Sequence, residues 1–399
     1  MTSRVFEIHE PSQVAFARRE AAALAASFGF TDERAGRVAL IVSELASNLA
    51  KHARDGQILL NPLYGPGRPH GRHPYASSRG PAASPGRTGV GRDPAPHGIE
   101  ILSIDRGPGL QDIREALRDG HSTAGSLGFG LGAVVRQADA FDIFSQVRAG
   151  ATHARTGTIV LARVWSRAPA RADVASRASG SSVSIGAISV AIKGESVSGD
   201  GWAAHVDPAH ITLLVVDGLG HGPAAAEAAS TAVDAFDHVR TTVAGATTPV
   251  DAPAADAPPL ERTPTAYATD LHEALRPTRG AALAVLQLDT DRSVVRYAGL
   301  GNISGVIVTP DLQRRTMISR NGTAGHIANR VEEYSYPLPR HATVVLHSDG
   351  LTSQWNPADY PGLWSRDPAL IAAILYRDCS RGRDDVTVVV LHAHGHERA

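Results

Sequence analysis

Two sets of polar residues in this 399-residue chain have types and spacings that could do chemistry. The first set begins in the segment LIVSELASNLAKHA, where Glu44, Asn48 and His52 recur every four residues and therefore lie above one another on a helix. An asparagine oxygen can ligate Mg²⁺, a hard cation that shares its coordination shell with phosphates. A nearby carboxylate can orient or deprotonate a hydroxyl group. This line of side chains predicts either a solvated helix face or the wall of a pocket.

Two glycine-rich segments farther along the chain supply groups that could complete a nucleotide site. The residues concerned are Asp105, Gly107, Gly109, Gly128, Gly130 and Gly132. A buried aspartate can accept a hydrogen bond from the amine of adenine, and glycines let backbone N–H groups approach a polyphosphate at a helix N-terminus. Each segment alone is weak evidence, because a D-x-G-x-G segment is often only a turn. In this order after Asn48, they predict a nucleotide site.

The second set is acidic and lies at the ends of strand-like apolar runs. Its members are Asp200, Asp217, Asp349, Asp384 and Asp385. A single aspartate at a strand end is commonly a turn former. If buried strands bring their ends to one place, however, the carboxylates would repel one another unless cations neutralise them. The set therefore predicts a pair of Mg²⁺ or Mn²⁺ ions, which can activate a bridging water for attack on a phosphoryl group.

Helices and strands must position the first set. An alternating strand in RVFEIHE precedes a helix from Pro11 to Phe28, and Thr31 can cap a second helix that runs to about Ala53. Strand-like runs follow in GQILL and GIEILSID, and residues 61–98 between them are rich in Pro, Gly, Ser and Arg. Such a segment cannot bury enough apolar surface to order itself, so we predict a disordered insertion.

The remaining pattern separates the chain into two domains. A short helix, a glycine cluster, a second helix and two strands complete the first domain, residues 1–166. Residues 167–182 are small and polar and predict a linker. Strand-like runs dominate the second domain, residues 183–396, and its helical patterns fall at about 222–239, 265–275 and 368–376. A chain of this length exceeds what one core usually holds, which also favours two domains. We predict an α+β protein, because both domains combine helices with sheets.

Composition excludes several classes of function. The net charge is −1, so nothing in the composition points to nucleic acid. The single cysteine, Cys379, rules out an intramolecular disulfide framework and fits a reducing compartment. Neither a signal peptide nor an apolar run of about 18 residues is visible. We predict a cytoplasmic protein without membrane or nucleic-acid partners, and a homodimer is left open.

The first domain resembles a known family. The segments ELASN, DRGPG and GFGLG are similar to the N, G1 and G2 boxes of the GHKL (Bergerat-fold) ATPases, over about residues 1–166. RDGHSTAGSLGFGLGAV and GTIVLARVW resemble the RsbT-like serine/threonine switch kinases, which act on STAS-domain regulators. The resemblance implies an α/β sandwich with helices on one sheet, and ATP with Mg²⁺ as cofactor. By that resemblance Asn48 would hold Mg²⁺, Asp105 would read adenine, Thr158 would support the adenine site and Glu44 would be the general base.

The second domain resembles the PPM metal-dependent serine/threonine phosphatases, in their SpoIIE-type branch with its small RsbX-like members. The segments VSGDGW, VDGLGHGPAAAEAA, YAGLGNISG, LHSDGLTSQW and RDDVTVVV carry the resemblance, over about residues 184–393. It implies an αββα sandwich with two Mn²⁺ or Mg²⁺ ions. The implied metal ligands are Asp200, Asp217, the carbonyl of Gly218, Asp349 and Asp384, with Asp385 as the fallback for Asp384. For His221 and Asn302 in neighbouring motifs, loop hydrogen bonding and catalysis both remain open.

These resemblances together predict a fusion of a kinase or anti-sigma module with a phosphatase. Both would act on STAS-domain anti-anti-sigma proteins, phosphorylated and unphosphorylated, in a bacterial partner-switching or stress-response pathway. Two alternatives stay open: only the phosphatase works while the first domain senses ATP, or the first domain binds a sigma factor or STAS protein. Glu44 discriminates among them, because binding ATP needs no general base. Its presence favours phosphoryl transfer.

Overall fold

The computed structural model describes residues 2–64, 96–118, 130–147, 155–167, 183–207, 210–245, 262–328 and 331–394. Gly128, the linker residues 168–182 and most of the predicted insertion lie outside these ranges. None of the helices in the described ranges combines the length and the apolar character needed to span a bilayer.

The N-terminal domain is one antiparallel sheet with its helices on one face. The strands are β1 (Arg4–Ile8), β2 (Gly56–Leu63), β3 (Gly98–Ile104), β4 (Ala140–Gln146) and β5 (Gly157–Trp165), in the order β1-β2-β3-β5-β4. The helices are α1 (Pro11–Ser27), α2 (Asp32–His52), α3 (Ile113–Ala116) and α4 (Leu131–Gln137). Thr31 caps α2 as predicted, with its hydroxyl oxygen 3.4 Å from the backbone N of Arg34. The predicted layer of helices on one sheet is confirmed, because α1, α2 and α4 share an apolar core with the sheet.

The predicted insertion is wrong at its ends. Residues 61–63 form the end of β2, and Asn61 pairs with Glu100 while Leu63 pairs with Gly98. The sequence pattern hid this pairing, because Asn61 and Pro62 interrupt the apolar run of the strand. The hairpin is thus longer than predicted, and the segment between its strands begins after Tyr64.

The C-terminal domain is a sandwich of two sheets with helices outside. The strands of its first sheet are β7 (Asp200–Val206), β8 (His210–Gly218), β9 (Ala281–Asp289), β10 (Val294–Leu300), β13 (Ser319–Arg320) and β16 (Tyr334–Pro337). Those of its second sheet are β6 (Val183–Val190), β11 (Ser304–Val308), β12 (Arg314–Thr316), β17 (Thr343–His347) and β18 (Val386–Ala393). A small hairpin, β14 (Gly322–Thr323) and β15 (Ile327–Ala328), stands apart.

Helices cover both outer faces of this sandwich. They are α5 (Pro223–Gly245), α6 (Pro264–Ala274) and α7 (Pro368–Cys379). Helices α5 and α6 pack on the first sheet, the two sheets share a core between them, and α7 packs on β6 and β18 of the second sheet. The predicted αββα sandwich is confirmed.

Helix α7 belongs to both domains. Its far side packs against the open face of the N-terminal sheet, so one apolar cluster joins Leu102 and Leu161 of that sheet to Leu370 and Ile374 of α7 and to Val388 of β18. Of the 12 residues of α7, only Tyr376 and Asp378 are absent from its buried set. A helix that is apolar all round is expected to be buried all round. The described layers therefore run helix, sheet, helix, sheet, sheet, helix.

An ion-pair network crosses the same interface. Arg163 of β5 donates to Asp367, the N-cap residue of α7, over 2.6 Å and to Glu100 of β3 over 2.8 Å. Burial alone would lower the pKa of Arg163, but the two carboxylates raise it above its ordinary value. A charge buried this deeply requires such partners. The network fixes the N-terminus of α7 against the first domain.

The close approach of α7 to its sheet can be tested by substituting Gly186 of β6. A Cβ at this position would lie 2.0 Å from the backbone N of Ala369, so we expect Gly186→Ala to lower the free energy of unfolding by about 1–3 kcal/mol through overpacking. The matched control is Gly36→Ala at an exposed position of α2, where a Cβ meets nothing within 4 Å and the helix should gain up to about 1 kcal/mol. Denaturant unfolding measures both. Equal stability of the two variants would contradict the close packing of α7.

Candidate nucleotide and metal sites

A cavity of about 470 Å³ opens in the N-terminal domain beside the second half of α2. Its wall includes Asn48, His52, Asp105, Gly109, Gly130 and Thr158. Of these, the five predicted nucleotide-binding residues come from four separate segments: α2, the loop after β3, the start of α4 and β5. Asn48 and His52, which lie near the C-terminus of α2, therefore line a cavity.

Asp105 is held in the wall of this cavity by hydrogen bonds of its own loop. One carboxylate oxygen accepts a hydrogen bond from the backbone N–H of Gly107 at 2.5 Å, and the backbone N–H of Asp105 donates to the carbonyl of Thr158 at 3.1 Å. Burial raises the pKa of Asp105, and backbone hydrogen bonds from Gly107 and Thr158 work against that rise. This half-buried carboxylate can still accept from an amine, because its two oxygens offer about four lone-pair sites.

Gly109 and Thr158 complete this part of the wall. Gly109 has φ +79°, and a Cβ there would lie 2.2 Å from the carbonyl oxygen of Gln146, so only glycine fits. The Thr158 hydroxyl lies 2.9 Å from the Ser145 hydroxyl, which also accepts from the backbone N–H of Leu110. The loop after β3 and the strands β4 and β5 are thereby joined beneath the cavity.

The other predicted residues of this site are not brought into the wall by the described part of the chain. Glu44 is half-buried one turn before Asn48. Burial raises the pKa of Glu44, while Lys51 opposes the rise. Gly107 forms the turn that holds Asp105, Gly132 is buried within α4, and Gly128 lies outside the described residues. The wall on the side of residues 119–129 is outside the described ranges.

The structure places two acidic residues of the second set side by side and others near them. Asp200 and Asp217 lie directly opposite each other on the antiparallel strands β7 and β8. Asp349 follows β17 and Asp384 precedes β18, and both act electrostatically on Asp217. Like charges directly opposite on neighbouring strands are destabilising. Burial, followed by the repulsion of the neighbouring carboxylates, raises the pKa of Asp217 well above its ordinary value.

This donor set fits hard divalent cations. Asp200 is 2% exposed, and burial raises its pKa as well. Buried carboxylates that repel one another are stabilised by cations with oxygen coordination, which describes Mg²⁺ and Mn²⁺. Within the described ranges, no group of three or more His, Cys, Asp or Glu side chains is arranged so that it could hold a metal ion. The fit therefore rests on the chemistry and burial of the donors.

The adjacent aspartates before β18 have different roles. Both carboxylate oxygens of Asp385 accept backbone hydrogen bonds at 2.7 Å, one from Ile192 and one from Gly199. Asp384 has one oxygen hydrogen-bonded to the backbone N–H of Asp385. Asp385 thus ties the loop before β7 to the site, which leaves Asp384 as the better ligand candidate.

Neighbouring side chains hydrogen-bond to members of the acidic set, and sequence reasoning missed one of them, Ser348. The hydroxyl of buried Ser348 donates to Asp200 at 2.6 Å, and Asn302 donates to Asp349 at 2.7 Å. His221 Nδ1 lies 3.0 Å from the Glu195 carboxylate. Ser348 was detectable only as the residue before Asp349 in the LHSDGL segment, since nothing in its type marks it. For Asn302, side-chain hydrogen bonding is the observed role.

Comparison with known proteins identifies both domains. Residues 9–164 match the family described as histidine kinase-like ATPase domain, and residues 207–394 match the family described as stage II sporulation protein E (SpoIIE). The serine/threonine-protein kinase RsbT of Bacillus subtilis (strain 168) is 31% identical over 140 residues, which cover 35% of this chain and 77% of that protein. The chain belongs to the RsbT-like kinase family and carries a SpoIIE-type PPM phosphatase domain.

Solved structures of similar fold include two relatives of the phosphatase domain. The PP2C phosphatase domain of SpoIIE from Bacillus subtilis, with a fragment of its regulatory domain, is 18% identical and covers 74% of this chain and 79% of that chain, with a TM-score of 0.42. RsbX in complex with magnesium is 16% identical and covers 53% of this chain and 94% of that chain, with a TM-score of 0.42. The family assignment rests on the sequence matches and not on these structures. Asp200 lies ahead of the SpoIIE match, so the structure alone brings it to the acidic set.

The two adjacent aspartates make a direct test of ligand assignment. We expect Asp384→Asn to weaken Mn²⁺ binding at least about ten-fold without lowering the stability of the metal-free protein, because it removes a donor and a repulsive charge. Asp385→Asn should instead lower the free energy of unfolding by about 1–3 kcal/mol, because one of its two backbone N–H partners loses an acceptor. Titration calorimetry and denaturant unfolding measure the two effects. The reverse pattern would make Asp385 the ligand.

Proposed function

We propose that this protein is a bifunctional switch enzyme, an ATP-dependent serine kinase and a phosphoserine/phosphothreonine phosphatase on one chain. The observation that carries the proposal is that each domain gathers its own set of reactive groups: Asn48, Asp105 and Thr158 around one cavity, and Asp200 opposite Asp217 in another place. The substrates of both domains are STAS-domain anti-anti-sigma proteins of a partner-switching pathway. The kinship with RsbT supports this pathway.

In the kinase domain, ATP with Mg²⁺ occupies the cavity beside α2. Asn48 would hold the metal, Asp105 would accept from the adenine amine, Thr158 would support the adenine site and Gly130, at the start of α4, would face the phosphates. Glu44 is the base that takes the proton of the substrate serine. Burial raises its pKa, and a base whose pKa rises toward neutral takes up a proton more readily.

In the phosphatase domain, two Mn²⁺ or Mg²⁺ ions are held by four carboxylates and one carbonyl. These ligands are Asp200, Asp217, the Gly218 carbonyl, Asp349 and Asp384. When bound, the ions supply a water activated for attack on phosphorus. The chain orients the ligands, since Ser348 holds Asp200 and Asn302 holds Asp349. These outer hydrogen bonds fix each carboxylate in one rotamer.

Transfer of label from radioactive ATP into native cell extract tests both activities together. With Asp349→Asn, which removes a phosphatase ligand, we expect a labelled protein to accumulate above the wild-type level. Adding Glu44→Ala should lower the labelling rate by about 100-fold or more, the usual contribution of a general base. Gel electrophoresis of the labelled extract measures both.

Hydrolysis of an aryl phosphate with Mn²⁺ is the control. If Asp349→Asn labels nothing while the wild type hydrolyses the aryl phosphate, the kinase half of the proposal fails. The N-terminal domain is then a nucleotide-sensing or partner-binding module. If the wild type hydrolyses nothing, the phosphatase half of the proposal fails.

A second candidate role, nucleotide sensing, is favoured by a contact between the two domains. Arg377 of α7 is buried and donates to the carbonyl of Asp105 at 3.1 Å, while Arg106 donates to the carbonyl of Arg377. The end of α7 is in turn bonded to the segment after Asp349, since the backbone N–H of Arg381 donates to the Gly350 carbonyl at 2.9 Å. Hydrogen bonds at Arg377 and at Arg381, four residues later in the chain, thus link the loop of Asp105 to the segment after Asp349.

Sensing predicts that nucleotide changes phosphatase activity. We expect ADP to alter the rate of aryl phosphate hydrolysis by at least about five-fold, the lower end of usual coupling between sites. Arg377→Lys should reduce this effect, because lysine lacks the fork that reaches both Asp105 and Asp378. Arg276→Lys, on the exposed end of α6, is the matched control. A rate independent of ADP, in protein shown to bind it, would rule out this role.

A further inference from the structure

A phosphate group bound at the acidic set needs a cationic side chain that the set itself does not supply. A phosphoserine brings about −1.5 to −2 charges at neutral pH, and it must approach a place already crowded with carboxylates. Cations neutralise that crowding in part, but they do not fix the outward-facing oxygens of the phosphate. Arginine is the side chain best suited to that task, because its planar fork matches two oxygens at once.

Arg279, just before β9, lies beside the loop that follows Asp217. Its Nη1 is 3.3 Å from the position a Cβ would take on Gly220, three residues after Asp217. The carbonyl oxygen of Gly220 in turn is 3.2 Å from the Cβ position of Gly199, the residue before Asp200. The guanidinium therefore borders the loop that follows Asp217. The same loop approaches Gly199, which directly precedes the strand that begins with Asp200.

The backbone on both sides of Arg279 is fixed. The Thr278 hydroxyl donates to the carbonyl of Leu275 at 2.7 Å and accepts from the backbone N–H of Gly280 at 3.0 Å. Gly280 has φ +80° and no room for a Cβ, and its carbonyl accepts from the backbone N–H of Leu219 at 3.1 Å. The start of β9 and the loop after Asp217 are thus joined. The backbone that carries Arg279 therefore needs little reorganisation when a ligand binds there.

Among the described residues, the guanidinium of Arg279 takes no part in holding the fold together. No ion pair or hydrogen bond of this side chain is found in the described ranges, and the residue is exposed. Arg276, three residues earlier, is different, because it forms a two-pronged ion pair with Glu273. A positive side chain on the loop next to Asp217 that forms no ion pair is available to a bound anion.

Arg383 is the competing candidate, since it directly precedes Asp384 and is exposed. No contact in the described ranges brings its guanidinium to the acidic set, whereas Gly220 locates that of Arg279. We propose that Arg279 binds the phosphate group of the phosphoprotein substrate and holds it against the acidic set. This assignment rests on the phosphatase site proposed above.

Binding of inorganic phosphate to the Mg²⁺-loaded full chain, measured by calorimetry, tests the assignment without turnover. We expect Arg279→Ala to weaken phosphate binding by about 10- to 100-fold, the usual worth of hydrogen bonds to a charged group, and Arg279→Lys to weaken it less. Mg²⁺ affinity and thermal unfolding should stay at wild-type values. Arg276→Ala, which removes a nearby arginine, should bind phosphate like the wild type.

Hydrolysis of a phosphoserine peptide provides the second readout. Arg279→Ala should raise KM by a factor similar to its loss of phosphate affinity. The assignment to Arg279 is overturned if this variant keeps wild-type phosphate affinity and KM, or if Arg383→Ala loses them in its place. If the Mg²⁺-loaded wild type neither binds phosphate nor hydrolyses the peptide, the proposed phosphatase site is wrong. The role assigned to Arg279 is then wrong as well.

Discussion

The structure depends on burying one helix from both sides. Helix α7 has an apolar surface all round, and a single sheet covers only one of its sides. The N-terminal sheet has the complementary need, because its helices cover only one face. Each element completes the other, and the Arg163 network holds the start of α7 in place. The arrangement of the domains follows from this shared burial.

Repulsion between the carboxylates of the acidic set destabilises the fold that holds them. Asp200 and Asp217 face each other across two strands whose other residues are almost entirely apolar and buried. The ladder between β7 and β8 keeps the two carboxylates together despite their repulsion, and Ser348 and Asp385 add hydrogen bonds around them. Polar groups gathered at such a cost in free energy are typical of functional sites.

Much of this architecture could be predicted from the sequence. The long helices and the buried strands were predictable because their apolar residues follow periods of 3.6 and 2 or form short continuous runs. The convergence of Asp200, Asp217 and Asp349 was predictable because each lies at the end of such a strand. The ends of the insertion were not, since pairing across a hairpin overrides the low propensity of Asn61 and Pro62.

Contacts between distant segments were beyond sequence reasoning. Nothing in the spacing of Arg163, Glu100 and Asp367 links three residues so far apart in the chain. The separate roles of Asp384 and Asp385 depend on which carboxylate meets the backbone of residues 192–199. One signal was overlooked: the run LIAAIL in α7 lacks any polar face, which indicates a helix that is covered on both sides.

The shared core also has a consequence for the cell. Because α7 and the N-terminal sheet cover each other, neither domain is a module that can be exchanged or produced alone without exposing a large apolar face. The two sites are therefore always present in equal number, whatever the level of expression. Their balance can be set only by what binds to them, and never by how much of each is made.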